Sequence, residues 1–476
     1  MLVDADSDGY AAATRPRNSS IKQRPARVAV VSRPEDIAPM LDEVAALARS
    51  SGTPLEIVPQ ATGHGAGAPV GKGVVLLDTS RLTDVSIDPE SRVAVVGAGA
   101  TWSAVNAAAG QHGLLGLAGS APSVSVSGYT FGGGIGWLVR RDGLASGALR
   151  AVHYVDGGGR SRTAADDAGD EVDRAAMWAF RGAGGVGIAH TLEFDLVPAA
   201  DLHAGALLWH ADALPKLLAA WSSTIATVGS GVSSSIAVLH VPPLPPFPQE
   251  LHGRSAVHLA IADPDGPVAA TPLLEAMRAA AQPVSDSWGP TDAAGLARIH
   301  LDPPTATPAI GDARWLDAST PVIAEALLST AAADDAPIVM MEIRHVAGAP
   351  VRRTGAVVAP PGDFIYHAVA PLNLFSRERI EAGFARARSI WSIADAGLVG
   401  RGRGRRAGRA TGRCPEAGRG DRRRCGPGRP NPPLAPARMI PRRSLAQRGG
   451  RGAIRLRRRP GSAVRRSSGA AWPTER

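Results

Sequence analysis

Three glycine-rich stretches carry the most readable chemistry in this chain. The first, Gln60-Ala61-Thr62-Gly63-His64-Gly65-Ala66-Gly67, directly follows a short apolar run. The second runs from Val124 to Trp137 and includes Gly128, Gly132, Gly133, Gly134 and Gly136; the third runs from Trp178 to Ile188 and includes Gly182, Gly184, Gly185 and Gly187. Without a Cβ, consecutive backbone N–H groups can turn toward one anion, which is what a pyrophosphate requires. One such cluster alone reads more readily as a tight turn. Three in this order read as separate loops cradling one long dinucleotide from both sides. A fourth stretch, Val93 to Trp102, has the strand, Gly97-Ala98-Gly99 and helix of the common dinucleotide fold. Its third glycine position is Trp102, too large for close helix–strand approach, and 117–125 offers no acid for a ribose. Gly71-Lys72-Gly73 lacks the spacing and hydroxyl of a P-loop.

These loops need elements to hold them. Strands are expected at 28–31, 55–58, 74–77, 85–87, 93–96 and 151–155. Helices are expected over 37–48 after the capping signal Ser32-Arg33-Pro34-Glu35, over 101–109 and over 173–180. From about 203 the texture changes to longer strands (204–209, 232–240, 255–261, 337–345), with helical patterns near 214–227, 268–281, 320–332 and 377–392. Pro242 to Pro248 holds five prolines in seven residues and reads as a loop.

With these motifs in order, residues 22–198 resemble the FAD-binding domain of the vanillyl-alcohol oxidase superfamily, in particular the berberine-bridge-enzyme-like oxidoreductases with a PCMH-type domain. The resemblance implies an α+β fold. A two-subdomain FAD-binding domain is joined to a substrate domain with a mostly antiparallel sheet and flanking helices, followed by an Arg/Gly/Pro-rich tail. The boundaries are 1–21 for an N-terminal segment, 22–198 for the FAD domain, 199–396 for the substrate domain and 397–476 for the tail. It implies FAD contacts at Thr62, Gly63, His64, Gly65 and Ala66, at Gly119 and Ser120, at Ser125, Gly128, Gly132, Gly133, Gly134, Gly136 and Trp137, and at Gly187 and Ile188. His64 matches the histidine that tethers the flavin in many relatives, and a neutral imidazole is a competent nucleophile. A bicovalent flavin is excluded, since 113–125 has no cysteine. Relatives differ at Gln60, where a basic residue is usual, at Ser125, and at Val186-Gly187.

The resemblance also implies hydride transfer from a small or mid-sized alcohol, amine or ring C–H substrate to flavin N5, by an oxidase using molecular oxygen or by a dehydrogenase. A base for the substrate's proton must come from the second domain. Met341 to Ala349 resembles the substrate-sheet strand. Alternation puts Glu342, Arg344 and Val346 on one face and Ile343 and His345 on the other. Glu342, His345 and Tyr366 are the candidate catalytic residues, and an ordinary strand position is the competing reading for each.

Charge sets the remaining limits. The chain of 476 residues carries a net +9, yet 401–476 alone holds 23 arginines and three acids (Glu416, Asp421, Glu475), leaving residues 1–400 at −11. Both cysteines, Cys414 and Cys425, fall in that tail, so a disulfide framework or cysteine-ligated zinc in the body is excluded, and no metal is expected. No run approaches the roughly 18 apolar residues of a membrane span, and the acidic start Met1 to Asp6 lacks a basic n-region, so a cytoplasmic protein with no membrane partner is expected. The tail reads either as an RG-rich disordered arm binding nucleic acid non-specifically or, the favoured reading, as the product of a frame shift near 397–402 in GC-rich DNA. A flavin-fold protein made inactive by loss of its closing segment is the alternative function.

Overall fold

The computed structural model describes residues 2–302, 305–317, 320–333, 335–401 and 454–455. The tail at 402–453 and 456–476, including both cysteines, lies outside the described residues.

The first subdomain is a small sheet built from Arg27–Val30, Val74–Asp78 and Glu56–Gln60, with the 74–78 strand central and parallel to both neighbours. Leu2–Val3 adds an antiparallel edge against Ala29 and Val28, so the N-terminal segment starts inside this sheet. Ile454–Arg455 pairs with Ile57 and Glu56 at the opposite edge. The helix Ile37–Ser51 buries Ile37, Met40, Leu41 and Val44 against one face and ends at Gly52, in the left-handed region. The capping differs from the expected Ser32–Glu35 box. Asp36 accepts from the N–H groups of Ser32 and Arg33, because a 3-10 turn at Pro34–Asp36 precedes the α-helix.

The second subdomain is a five-stranded antiparallel sheet in the order Val85–Asp88, Val93–Gly97, Ile188–Asp195, Leu149–Val155, Ser161–Ala165. Gly97 and Gly99 serve this packing. A Cβ on Gly97 would lie 2.3 Å from the Leu82 carbonyl oxygen, and one on Gly99 2.2 Å from that of Thr79. The stretch that imitates a dinucleotide motif is therefore a close approach to the turn 79–82. Trp102 follows it into the core, beside Phe194 and edge-on to Tyr129.

The C-terminal domain is a large antiparallel sheet whose main strands run in the order His203–His210, Ser255–Asp263, Ser233–His240, Met340–His345, Phe364–Pro371, Ala309–Leu316. The strand 309–316 escapes the sequence reading. Helices Leu214–Thr224, Thr271–Ala280, Thr320–Ala332 and Arg377–Arg401 cover one face, burying Trp221, Leu273, Leu327 and Phe384 against Ile236, Leu259, Ile343 and Tyr366. The last helix runs to Arg401, past the expected 392 and past the tail boundary set at 397. Its first turns bury Ile380 and Phe384. The other face of the sheet turns toward the N-terminal subdomains, with Ala204, Ala260 and Ala262 in the core of the second.

Candidate functional site

The first glycine loop leaves the sheet of the first subdomain at Gln60, and the second stretch, Val124 to Trp137, follows the segment 116–123. They meet at Thr62, whose hydroxyl accepts from the Ser125 N–H (3.3 Å) and lies 2.8 Å from Nδ1 of His64. Nε2 of His64 faces the Ser123 hydroxyl at 3.3 Å. Burial lowers the His64 pKa to about 4, with the charge of Arg17 adding to the effect and Asp302 opposing it. At neutral pH the ring is uncharged and keeps a lone pair.

The backbone N–H groups of Gly63, His64 and Gly65 have no protein acceptor among the described residues, whereas that of Ala66 is taken by the Gly63 carbonyl. A Cβ added to Gly65 or Gly128 would meet nothing within 4 Å. Unsatisfied donors beside open space are what a pyrophosphate fills, so the first loop and Gly128 fit the phosphate portion of FAD. Gly119, Gly134 and Gly136 do other work. A Cβ on Gly119 or Gly134 would press into the Tyr129 ring (2.9 and 2.6 Å), and one on Gly136 would sit 1.9 Å from the Ala118 carbonyl oxygen. They shape the loop around Tyr129, while Gly132 and Gly133 form the turn after the helix Val126–Phe131. Gly187 packs on Tyr154, and Ile188 is buried in the core of the first subdomain, so this pair joins the two subdomains.

A buried charge network stands on the C-terminal sheet. One carboxylate oxygen of Glu342 accepts from Arg344 Nε (2.9 Å) and the other from His300 Nε2 (3.1 Å). His300 Nδ1 in turn donates to Asp302 (2.8 Å), which also accepts from the Ser120 hydroxyl. The Arg344 guanidinium lies 4.1 Å from the Trp137 ring centre. Two anions and two cations alternate, and Ser120 and Trp137 of the FAD-type domain close the chain at both ends. Glu342 is only 2% exposed. Burial opposes its charge, yet Arg344 and His300 outweigh that and hold its carboxyl well below the usual carboxylate range. Burial also opposes the charge on His300, but Glu342 and Asp302 raise its pKa to about 9, leaving an imidazolium at neutral pH. A carboxylate so stabilised is a weak base, but it has roughly four acceptor sites and only two are used.

Glu342 also lies in a row across the sheet, opposite Ala237 on one side and His367 on the other, with His258 beyond Ala237. His258 Nε2 donates to the Ile299 carbonyl, so its unpartnered Nδ1 carries the lone pair. Burial, with the charge of His300 next, holds this imidazole at about 4. His258 and His300 were missed by the sequence reading. His300 and Asp302 form a His-x-Asp pair in a stretch with no periodicity, and only their fold neighbours give them meaning. Among the described residues, no three His, Cys, Asp or Glu side chains converge as metal ligands.

Two of the three catalytic candidates are not brought to this site. Tyr366 pairs with Ile343, so the pleat sends it to the helix-covered face, where its ring meets Trp391 edge-on at 4.8 Å. His345 shares that side of the strand and stacks on Phe364 (5.1 Å). Burial, helped by Arg140, lowers its pKa to about 3. The buried Tyr366 hydroxyl has no partner. Tyr366→Phe should therefore leave turnover unchanged and raise stability by up to about 1 kcal/mol by deleting an unsatisfied group. A large fall in kcat in that variant would return Tyr366 to the catalytic set.

Residues 27–165 match the FAD binding domain family. Over 124 residues the chain is 40% identical to berberine bridge enzyme-like D-2 of Nicotiana tabacum, a match covering 24% of this chain and 20% of that protein. Over residues 27–165 the chain carries a FAD-binding domain, and in part of its length it is similar to the berberine-bridge-enzyme-like proteins. Its matches span 20–38% of the length of such curated relatives. The fold is also that of 6-hydroxy-D-nicotine oxidase from Arthrobacter nicotinovorans (TM-score 0.66, 21% identity, 84% of this chain and 86% of that one). It is likewise that of the glucooligosaccharide oxidase from Acremonium strictum, described with a 6-S-cysteinyl, 8α-N1-histidyl FAD (TM-score 0.64, 16% identity, 83% and 82% covered). In this chain the network from Ser120 to Arg344 joins the glycine-rich domain to the C-terminal sheet.

Proposed function

We propose that the protein is a FAD-dependent oxidoreductase that removes a hydride from a small polar substrate, an alcohol, an amine or a ring C–H compound. The observations that carry this reading are the unsatisfied loop amides at Gly63–Gly65 and the polar row around Glu342, whose charge network reaches Ser120 and Trp137 of the glycine-rich domain. Bound FAD would supply the hydride acceptor. Glu342, fixed as a carboxylate by Arg344 and His300, has acceptor sites left to orient a substrate O–H or N–H. Arg344, held by Glu342, lies against the buried Trp137 ring of the FAD-binding side. The likeness to a D-nicotine oxidase and an oligosaccharide oxidase supports a small-molecule substrate of this kind.

We further propose that His64 tethers the flavin. Its neutral ring lies at the mouth of the first loop, and no cysteine stands between 113 and 125 to form a second link. The purified protein is expected to show a flavin spectrum that survives acid precipitation with the protein, and His64→Ala is expected to release all of that colour into the supernatant. Colour retained in the His64→Ala pellet would sink the tether. The spectrum should bleach under anaerobic conditions with at least one member of an alcohol and amine panel. A flavin that no such compound reduces would leave a binding fold without the activity.

A further inference from the structure

The C-terminal sheet is not covered evenly on the face that carries Glu342. In the strands Ser255–Asp263, Ser233–His240 and Met340–His345 nearly every residue is buried, whichever face it stands on. The cover ends at the next two strands. In Phe364–Pro371 the residues of the helix-covered face, Phe364, Tyr366, Ala368 and Ala370, are buried, whereas Ile365, His367 and Val369 on the other face are half-buried. Their partners on the edge strand Ala309–Leu316 are Trp315, Ala313 and Gly311, of which the first two are half-buried and Gly311 is exposed. These residues form an open strip. It lies beside Glu342, because the register sets Glu342 against His367 and His367 against Ala313. At one end of the strip Asn18 bonds the backbone of Ala309 twice, its amide donating to the carbonyl (2.8 Å) and its oxygen accepting from the N–H (3.2 Å).

His367 has no hydrogen-bond partner among the described residues. Its Nε2 lies toward Gly311, 3.8 Å from where a Cβ of that glycine would stand, and the nearest backbone atom, the Ala368 carbonyl oxygen, is 3.6 Å from the same point. Both are ordinary contacts, so packing within the protein does not demand glycine there, and the space beside Nε2 stays open. Burial lowers the His367 pKa against the opposing charge of Glu342, and the charges of His300 and Arg344 add to the effect of burial. The neutral ring offers one lone pair and one N–H. Around it the strip is apolar. Ile365, Val369, Ala313 and Gly311 carry no polar side-chain atom, and Trp315, packed against Val139, Leu144 and Val346, has only its indole N–H.

We propose that this strip seats the substrate and selects a compound with an apolar ring and one hydroxyl or amino group, the ring lying on Ile365, Val369 and Trp315 and the polar group bonded to His367. A carbohydrate carries hydroxyls around its whole ring, and each one buried without a partner is costly. One imidazole and one indole N–H cannot satisfy them. The inference rests on the FAD reading given above and narrows its alcohols and amines to this class.

The test uses the full chain with its flavin and two probe sets, benzyl alcohol and toluene against glucose and xylobiose. Binding is followed by calorimetry, and reduction by anaerobic bleaching of the flavin. Benzyl alcohol should bind at least about tenfold more tightly than either sugar. His367→Phe, which keeps a ring without its nitrogens, should weaken benzyl alcohol about tenfold, as loss of one hydrogen bond implies, and leave toluene unchanged. Gly311→Val fills the space beside Nε2 and should weaken both ring compounds, with flavin content and Tm preserved. A sugar bound or oxidised in preference to benzyl alcohol, by a protein whose flavin still bleaches, overturns the proposal and leaves the oxidoreductase reading standing. Equal losses of benzyl alcohol and toluene in a folded His367→Phe overturn the part given to His367, and unchanged ring binding in Gly311→Val overturns the location. A protein that holds no flavin, or one that neither probe set reduces, overturns the FAD reading itself, and the proposal with it.

Discussion

Replacing Glu342 with alanine is expected to cost about 3–5 kcal/mol of stability, the range for breaking a buried ion pair from one side. The carboxylate is 2% exposed and its two oxygens hold Arg344 and His300, so its removal strands one guanidinium and leaves His300 with Asp302 alone to balance its charge. The same network gives stability a pH signature. His300 titrates at about 9 in the folded chain against 6.5 for a free histidine, so its contribution is full below about 6.5 and is lost as pH rises through about 9. Glu342 works in the opposite sense. Its folded pKa is depressed, so its contribution is present above about 4.5 and falls away as the medium is made more acid. Denaturant unfolding of the wild type between pH 5 and 10 should show the alkaline loss, and His300→Gln should flatten it. A Glu342→Ala protein within about 1 kcal/mol of wild type would mean that the four charges are solvated rather than locked together.

Gly136→Ala is expected to be nearly as damaging, at about 3 kcal/mol, the upper end of the overpacking range. Its Cβ would sit 1.9 Å from the Ala118 carbonyl oxygen, a backbone atom that cannot rotate aside. Relief requires the stretch 116–120 to move away from 134–137. That stretch carries Ser120, the ligand of Asp302, and the other carries Trp137, the platform of Arg344. The variant should therefore lose flavin as well as melt early, with both effects visible as a lower flavin-to-protein ratio and a lower Tm. Gly65→Ala is the contrast. Its Cβ meets no protein atom, so it should melt normally and yet bind flavin less well, because the space it enters is the ligand's. Normal flavin content in Gly65→Ala would move the phosphate site off the first loop.

Several parts of this molecule could be read without its fold. The period-two pattern of Met341 to Val346 separates Glu342 and Arg344 from Ile343 and His345, and the strand 340–345 does so in the structure. The apolar spacing from Ile37 to Leu47, stopped by Gly52, reads as the helix that forms there. These are local properties, set by the pleat or by the helical turn within a few residues. The mismatch at Trp102 likewise rules out a false dinucleotide motif, although the actual purpose of Gly97 and Gly99 needs the Leu82 and Thr79 carbonyls to be seen.

What the amino-acid sequence determined by itself is therefore the set of elements, the glycine loops and the face on which Glu342 stands. The tertiary structure alone decided its partners. Tyr366 faces away because the register sets it opposite Ile343, and register depends on where two distant strands meet. His300 reaches Glu342 across 42 residues, and Asn18 reaches Ala309 across 291, through segments with no periodic pattern of their own. Such contacts are selected by the closing of whole domains over one another. A charge that is unremarkable along the chain becomes part of the site only when that closure removes its water.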